Sequence, residues 1–246
     1  MMRFIILGSG PGIPVEDKNL SSIYVHTEEL ALLLDCGEGC SRKLLQLGLS
    51  GDHLDAVLIS HYHPDHIAGL FMLLQMLYLE NRRKALTVFV PEDPRFILDT
   101  MHRMYTFESK FAFDLQVKLI TQAPLELPGI SIAPTDHLQS YSPQIKALNV
   151  PNEMRSWAIR ISGNHGDLVY SADINSTDCL EDLLDGAHSL IVDALHPNAG
   201  QILELHELGL HRVILNHGIS PELAALLDSE PLPGFEIAQE DHEYQI

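Results

Sequence analysis

The stretch SHYHPDHIAGL, residues Ser60–Leu70, places three histidines and an aspartate between the apolar runs AVLI and FMLL. Side chains alternate along an extended strand, so His61 and His63 are predicted to point the same way. The proline that follows leaves strand geometry and predicts a turn, in which Asp65 and His66 face a neighbouring point. Burying such groups without partners is costly, which favours metal ligands over a purely structural role.

Two ligand pairs in one short loop predict half of a site for two metal ions, which in hydrolytic enzymes lie roughly 3.5–4 Å apart. Imidazole and carboxylate suit zinc, with manganese or iron as alternatives. The remaining ligands are expected where other apolar runs end, because active sites collect at strand ends. Such ends carry His137, Asp173, Asp193, His196 and His217. A carboxylate such as Asp173 can bridge two cations, which imidazole cannot do.

The composition favours a single domain over residues 1–246. The chain has 246 residues, 46% of them hydrophobic, and this length is common for one domain with a large core. No apolar run approaches the length of a membrane span. The opening MMRFIILGSGPG predicts a first strand better than a signal peptide. Three cysteines argue against a disulfide framework and for a reducing compartment, so we expect a cytoplasmic protein.

The charge distribution argues against long nucleic acid as a partner. Acidic residues number 34 and basic residues 15, a formal charge of −19. Nonspecific nucleic-acid binding depends on lysines and arginines that replace counterions, so a chain of this charge repels long polyanions. The compact basic run NRRK, Asn81–Lys84, is predicted to be the solvated end of a helix.

Hydrophobic periodicity predicts strands, hairpins and helices in alternation. A helix is expected at Ser41–Leu47 with Gly48 ending it, and IAGLFMLLQMLYLE is expected to form one buried helix. SWAIRISGNHGDLVYSADI predicts a hairpin that turns at Gly163–Asp167. A further hairpin is expected to turn at Pro128–Gly129. Mixed strands with interspersed helices favour two packed sheets with helices outside.

The motif SHYHPDHIAGL resembles the HxHxDH signature of the metallo-β-lactamase superfamily. LGSGPGIPVEDKNLSSIYV, LLLDCGEG and DHLQSYS more narrowly resemble ribonuclease Z-like phosphodiesterases. The resemblance implies an α+β fold, a four-layer αββα sandwich of two mixed β-sheets flanked by helices. It also implies a ligand set: His61, His63 and His137 for one metal ion, Asp65, His66 and His217 for the second, and Asp173 bridging both.

The resemblance implies roles for two catalytic residues. Asp65 would hold the proton of the nucleophile as well as a metal ion. His196 stands near the position of a histidine that helps the leaving group depart in ribonuclease Z, although Pro197 and Asn198 replace the usual neighbours. Asp193 could orient a ligand, or could be an ordinary buried aspartate.

The expected activity is that of a binuclear hydrolase, closest to a ribonuclease Z-like phosphodiesterase. A hydroxide bridging two divalent ions would attack a small or short phosphodiester. Two alternatives stay open: a thioester or lactone hydrolase of the same fold, and a genuine tRNA 3′-end endonuclease. The tRNA-binding arm of ribonuclease Z is not evident, unless Glu92–Phe113 supplies it. A metal-bound scaffold without catalysis is a further alternative, and a homodimer is expected by analogy alone.

Two other motifs have competing interpretations. Cys36 and Cys40 in DCGEGC could bind another metal ion, but small core residues of this kind are commoner. GSGPG, Gly8–Gly12, lacks the lysine and spacing of a phosphate-binding P-loop. We expect it to let the backbone pass close to the metal pocket.

Overall fold

The computed structural model describes residues 1–49, 51–105, 108–121, 127–229 and 232–246. Its strands are β1 (Arg3–Gly8), β2 (Ser22–His26), β3 (Ala31–Leu34), β4 (Ala56–Leu58), β5 (Leu86–Val90), β6 (Leu115–Leu119), β7 (Ile130–Pro134), β8 (Trp157–Ile161), β9 (Leu168–Tyr170), β10 (Ser189–Ala194), β11 (Arg212–Ile219), β12 (Phe235–Ile237) and β13 (Glu243–Gln245). Its helices are α1 (Cys40–Gln46), α2 (Pro64–Ile67), α3 (Leu70–Leu79), α4 (Arg95–Met104), α5 (Ser142–Leu148), α6 (Glu181–Leu184), α7 (Ala199–Glu204) and α8 (Pro221–Ser229).

The strands form two mixed sheets. One has the order β13-β1-β2-β3-β4-β5-β6 and the other β12-β11-β10-β9-β8-β7. In the first sheet β1, β2 and β3 pair antiparallel, and β3 to β6 pair parallel. In the second, β9 to β12 pair parallel, and β7, β8 and β9 pair antiparallel. The predicted four-layer αββα sandwich is confirmed.

Apolar side chains fill three interfaces between these layers. Between the sheets, residues such as Leu32 and Leu34 of β3 meet Ile191 of β10. Leu33, which points the opposite way, packs with helical residues such as Leu73 on the outer face of the first sheet. A third cluster packs α6, α7 and α8 on the outer face of the second sheet. Burial on both faces explains why the strands read as continuous apolar runs.

The helix predicted at Ser41–Leu47 and the hairpin that turns at Gly163–Asp167 form, and the expected buried helix has one break. α1 ends as predicted, and Gly48 takes a φ of +67°. The stretch IAGLFMLLQMLYLE divides into α2 and α3 because Gly69 lies against the loop after β3. A Cβ at Gly69 would meet the Gly37 carbonyl oxygen at 2.1 Å, and the Gly69 amide donates to the Cys36 carbonyl at 2.9 Å.

The prediction of a solvated basic run after α3 is wrong for Arg82. This side chain is buried, and its guanidinium donates to the carbonyl oxygens of Leu54, Lys84 and Ala85. A buried guanidinium needs such acceptors. The Arg82 side chain therefore stabilises the loop before β5 through these hydrogen bonds.

Several elements were not predicted from the sequence. α5 follows β7, and the short strands β12 and β13 lie near the C-terminus. β13 pairs with β1, and β12 pairs with β11, so the C-terminal segment extends both sheets. Three residues are too few for periodicity to indicate a strand.

The segment proposed as a possible tRNA arm, Glu92–Phe113, packs against the core in its described part. α4 buries Ile97 and Met101 there, beside Tyr105 and Phe113. Residues 106 and 107 lie outside the described residues, as do residues 122–126 before the expected turn at Pro128–Gly129. None of the helices in the described parts of the chain has the length and apolar character that crossing a bilayer requires.

Candidate metal centre

Strand ends from both sheets meet at one edge of the sandwich. The loop after β4 and the single turn of α2 carry the four residues of the histidine motif. The ends of β7 and β9 deliver His137 and Asp173, and β11 carries His217. His217 has a φ of 61° and is followed by Gly218 at 85°, a left-handed bend in which a non-glycine residue is strained.

The seven side chains form two groups of potential ligands that share one carboxylate, and a third group joins that carboxylate to Asp193 and His196. Within each group the ligand atoms lie within 4.8 Å of one another. The first group is His61, His63, His137 and Asp173, and the second is Asp65, His66, Asp173 and His217. The structure therefore brings together all seven residues predicted from the sequence, in the predicted division. Metal ligation by them stays a prediction.

Asp173 lies between the two groups. Its Oδ1 is 3.1 Å from His66 Nε2, and its Oδ2 is 3.4 Å from His217 Nε2. The same Oδ2 is 3.7 Å from His137 Nε2 and 3.8 Å from His61 Nε2. This carboxylate thus faces imidazoles of both groups with its two oxygens.

Buried polar atoms without partners test whether divalent ions fit here. His61 Nε2, His66 Nε2 and Asp173 Oδ1 are buried and make no hydrogen bond among the described residues. Unpaired buried groups of this kind cost free energy. Imidazole and carboxylate are the donors that zinc, manganese and iron take in proteins. The residues present therefore fit one or more divalent ions.

Asp35 orients His66 from behind. Its Oδ2 accepts hydrogen bonds from His66 Nδ1 at 2.7 Å, Ser60 Oγ at 2.8 Å and Tyr170 Oη at 2.7 Å, and its Oδ1 accepts from the Ser60 amide. Because Nδ1 keeps its proton on Asp35, Nε2 is the nitrogen of His66 that is left to face the centre. Because Ser60 Oγ donates to Asp35, it accepts from His61 Nδ1 at 3.0 Å.

A second set of hydrogen bonds braces the first group through its backbone. Asp136 Oδ1 accepts from the Asn175 amide at 2.8 Å, and Asn175 Nδ2 donates to the carbonyl oxygens of Asp136 and His137. Thr135 Oγ1 donates to the Asp173 carbonyl at 3.1 Å. These bonds tie the loop that carries His137 to the loop that carries Asp173.

His196 faces the centre and is held by Asp193. Its Nδ1 donates to Asp193 Oδ2 at 2.8 Å, which raises the pKa of the imidazole above its usual value. Asp193 is itself fixed by the amides of Leu195 and Ile174. The His196 ring centroid lies 4.7 Å from that of His137. Asp193 therefore orients His196. The sequence had left open whether Asp193 orients another residue or is an ordinary buried aspartate.

The charges in the second group pair with one another. Burial alone would lower the pKa of His66, but the carboxylates of Asp173 and Asp35 outweigh it and raise that pKa well above its usual range. Burial would raise the pKa of Asp173, but His66 and His217 outweigh it and hold that pKa well below the usual value. Coordination through His66 Nε2 requires loss of a proton, so metal binding here is linked to proton release.

Comparison with known proteins identifies the family. The model described as "Anti-Pycsar protein Apyc1" matches residues 2–196. The chain belongs to this family.

This Apyc1-family chain is similar to "Ribonuclease Z" of Methanosarcina mazei, with 26% identity over 156 residues. That alignment covers 63% of this chain and 47% of that enzyme, so the chain spans about half the length of this curated relative. YhfI of Bacillus subtilis, a metallo-β-lactamase fold protein, superimposes with a TM-score of 0.74 at 21% identity, covering 99% and 98% of the two chains. Human tRNase Z, short form, superimposes with a TM-score of 0.73 at 18% sequence identity, and the match covers 99% of each chain. The Apyc1-family chain thus has the metallo-β-lactamase fold and is related in sequence to ribonuclease Z.

For the two other sequence motifs, DCGEGC and GSGPG, the structure favours the more ordinary interpretation. Cys36 and Cys40 are fully buried in the core between the first sheet and its helices, with their Sγ atoms 3.1 Å apart. No histidine or carboxylate joins them in a potential metal group within the described residues. Gly12 passes close to the centre as expected: a Cβ there would lie 3.4 Å from Asp65 Oδ2.

The residues that support the candidate ligands were not predicted from the sequence. Asp35 was used only for the resemblance of LLLDCGEG, although a carboxylate directly after a buried strand is itself a signal. Ser21, whose Oγ lies 3.1 Å from His217 Nδ1, and the pair Asp136 and Asn175 gave no signal, because their partners are distant in sequence.

Proposed function

We propose that the chain hydrolyses a small or short phosphodiester with two divalent metal ions, of which zinc fits best. The observation that carries this proposal is the shared position of Asp173. Its Oδ1 lies near His66 of the second group, and its Oδ2 lies near imidazoles of both groups. A single buried carboxylate between two histidine groups has a clear use when it bridges two cations.

The ligand assignment follows the two groups. His61, His63 and His137 would hold one ion, Asp65, His66 and His217 the other, and Asp173 both. When bound, two such ions supply a water of near-neutral pKa and positive charge opposite the phosphate oxygens.

Two residues of the chain are placed to handle protons. Asp65 Oδ2 lies 3.3 Å from His66 Nε2 and 3.8 Å from His217 Nε2, so this carboxylate faces the centre and can accept a proton from the attacking water. His196 keeps its Nδ1 on Asp193, so its Nε2 is the nitrogen left for a substrate, and the side chain is 32% exposed. It would donate a proton to the departing alkoxide oxygen.

Charge and the packing of Glu92–Phe113 support a small substrate over a tRNA. A net charge of −19 repels a long polyanion. The described residues of Glu92–Phe113 pack on the core, and tRNA cleavage belongs to the relatives named for it. A small diester carries little charge, and the metal ions offset the local field.

We also propose that residues 1–246 form one domain. β13 at the C-terminus pairs with β1 at the N-terminus, and both sheets contribute ligands to the same centre.

The test is hydrolysis by the purified protein loaded with zinc or manganese. We expect faster cleavage of bis(p-nitrophenyl) phosphate than of an acylglutathione, a lactone or a precursor tRNA. A preference for the acylglutathione or lactone would replace the phosphodiesterase by the carbonyl hydrolase of the same fold. Preference for the tRNA would show an endonuclease, and protein that binds no divalent metal would refute the whole proposal.

A further inference from the structure

Glu240, in the C-terminal segment between β12 and β13, fastens both ends of the loop that follows β1. Its Oε1 accepts from the Ser9 amide at 3.0 Å and from the Asn19 amide at 2.9 Å, and its Oε2 accepts from Asn19 Nδ2 at 2.8 Å. The side chain is only 11% exposed. Lys43 of α1, with its ammonium 3.5 Å from Oε2, offsets the charge.

The loop fastened in this way, residues 9–19, borders the second ligand group. Gly12 lies against the Asp65 carboxylate, since a Cβ there would be 3.4 Å from Oδ2. The Ser9 carbonyl accepts from the amide of Gly218, the residue after His217. Two residues past the loop, Ser21 Oγ lies 3.1 Å from His217 Nδ1. The loop therefore contacts both Asp65 and the strained bend that carries His217.

We propose that Glu240 is a positioning residue for the second metal ion. The inference rests on the proposed function, because it concerns the ion that Asp65, His66 and His217 would hold. By joining Ser9 to Asn19, Glu240 reinforces the hydrogen bond from the Gly10 amide to the Asn19 carbonyl, which closes the same loop at 2.9 Å. The loop in turn fixes the bend at His217 and the space beside Asp65.

The hydrogen bonds explain why a carboxylate stands at this position. All the groups that Glu240 meets in the loop are donors: the two backbone amides, the Ser9 hydroxyl at 3.4 Å and the Asn19 side-chain amide. Asn19 cannot simply turn its amide over, because its Oδ1 accepts from Arg42 at 3.0 Å. A glutamine would keep one oxygen for the backbone amides but would set its own NH₂ against Asn19 Nδ2.

The test is titration of the full-length metal-free protein with Co²⁺, followed by visible absorption. We expect wild-type protein to bind two equivalents. In Glu240→Ala we expect about tenfold weaker binding of one equivalent with an altered spectrum for that ion, and unchanged binding of the other. Glu240→Gln should lie between the two. Circular dichroism of the metal-free variants reports whether the fold is kept.

The matched control is Glu243→Ala, which removes a surface glutamate of β13 that contacts only Arg3 among the described ion pairs, at 3.4 Å. Cobalt binding by this variant should equal that of wild type. If Glu240→Ala and Glu240→Gln lower the melting temperature but keep both affinities and both spectra, Glu240 is merely structural and the inference is wrong. If wild-type protein binds no cobalt, the proposed function itself fails.

Discussion

The two ligand groups differ in how much of their geometry the chain imposes. In the second group, His66 is held directly by Asp35 and His217 lies beside Ser21. In the first group, His61 Nδ1 donates to Ser60 Oγ at 3.0 Å, but His137 Nδ1 is buried with no hydrogen bond among the described residues, and His63 is only half-buried. His63 makes ring contacts with His137 and Tyr141 at 5.3 and 5.5 Å.

This difference separates two ways of building a ligand site. Where a second hydrogen bond fixes the imidazole, the tautomer and ring angle are set before the ion arrives. Where it is lacking, the ion itself must order the ring. We therefore expect the second group to bind its ion more tightly, and the first group to lie on the open side that receives the substrate.

The largest effect is expected from Asp173→Ala, which removes the carboxylate common to both groups. Metal content should fall below one ion per chain, and phosphodiester hydrolysis should fall by at least about 10³-fold, since several kcal/mol of transition-state stabilisation depend on the ions. Elemental analysis and initial rates measure the two effects.

His196→Ala is the comparison for that variant. It should keep both ions and lose about 10²–10⁴-fold in turnover, the usual contribution of a proton donor. The role assignment fails if His196→Ala loses the metal ions while Asp173→Ala retains them.

The next effect is expected from Asp35→Asn, which tests the pre-oriented group. Whichever way the new amide turns, its NH₂ faces a donor, either His66 Nδ1 or the Ser60 amide, and the neutral oxygen is a weaker acceptor than the carboxylate. The Nδ1–H tautomer of His66, which leaves Nε2 for the metal, is therefore held less firmly. We expect about 10–100-fold weaker binding at the second group, and a smaller change at the first, which Asp35 reaches only through Ser60. Isothermal titration with zinc measures both affinities.

Tyr170→Phe is the matched control, because it removes another donor to the same Asp35 oxygen without touching the tautomer of His66. Its metal affinities should stay near those of wild type, with a loss of about 1 kcal/mol in the free energy of unfolding. Equal weakening of both groups in Asp35→Asn would show that the two groups are not separately supported.

The seven candidate ligands could be predicted because each stands at the end of an apolar run. A period of two placed His61 and His63 on one side, and the resemblance supplied the partners. Their supports could not be found this way. Asp35 meets Tyr170 across 135 positions, and Glu240 meets Asn19 across 221. Such contacts follow from how the two sheets pack and from a C-terminal segment whose strands were too short to predict.

The helical pattern failed for an equally physical reason. Apolar periodicity continues from Ile67 to Leu79, but the backbone breaks at Gly69 because the loop after β3 comes too close for any Cβ. The prediction that Arg82 is solvated is wrong because its side chain is buried, and carbonyl oxygens of the surrounding loops accept hydrogen bonds from its guanidinium. In both cases tertiary contact overrides a local rule that is otherwise sound.

The smallest effect is expected from Asn175→Asp, which tests the group with less support. The change removes the donations to the carbonyl oxygens of Asp136 and His137 and sets a carboxylate beside that of Asp136. We expect weakening of about tenfold at the first group alone, because these bonds hold the backbone of His137 and leave its ring free. Asn164→Asp, in the β8–β9 turn at the far end of the strands, adds the same charge and should leave both affinities unchanged. If Asn175→Asp lowered the metal affinity of the second group as much as that of the first, the hydrogen bonds of Asn175 would support both groups. The proposed difference in support between the two groups would then be wrong.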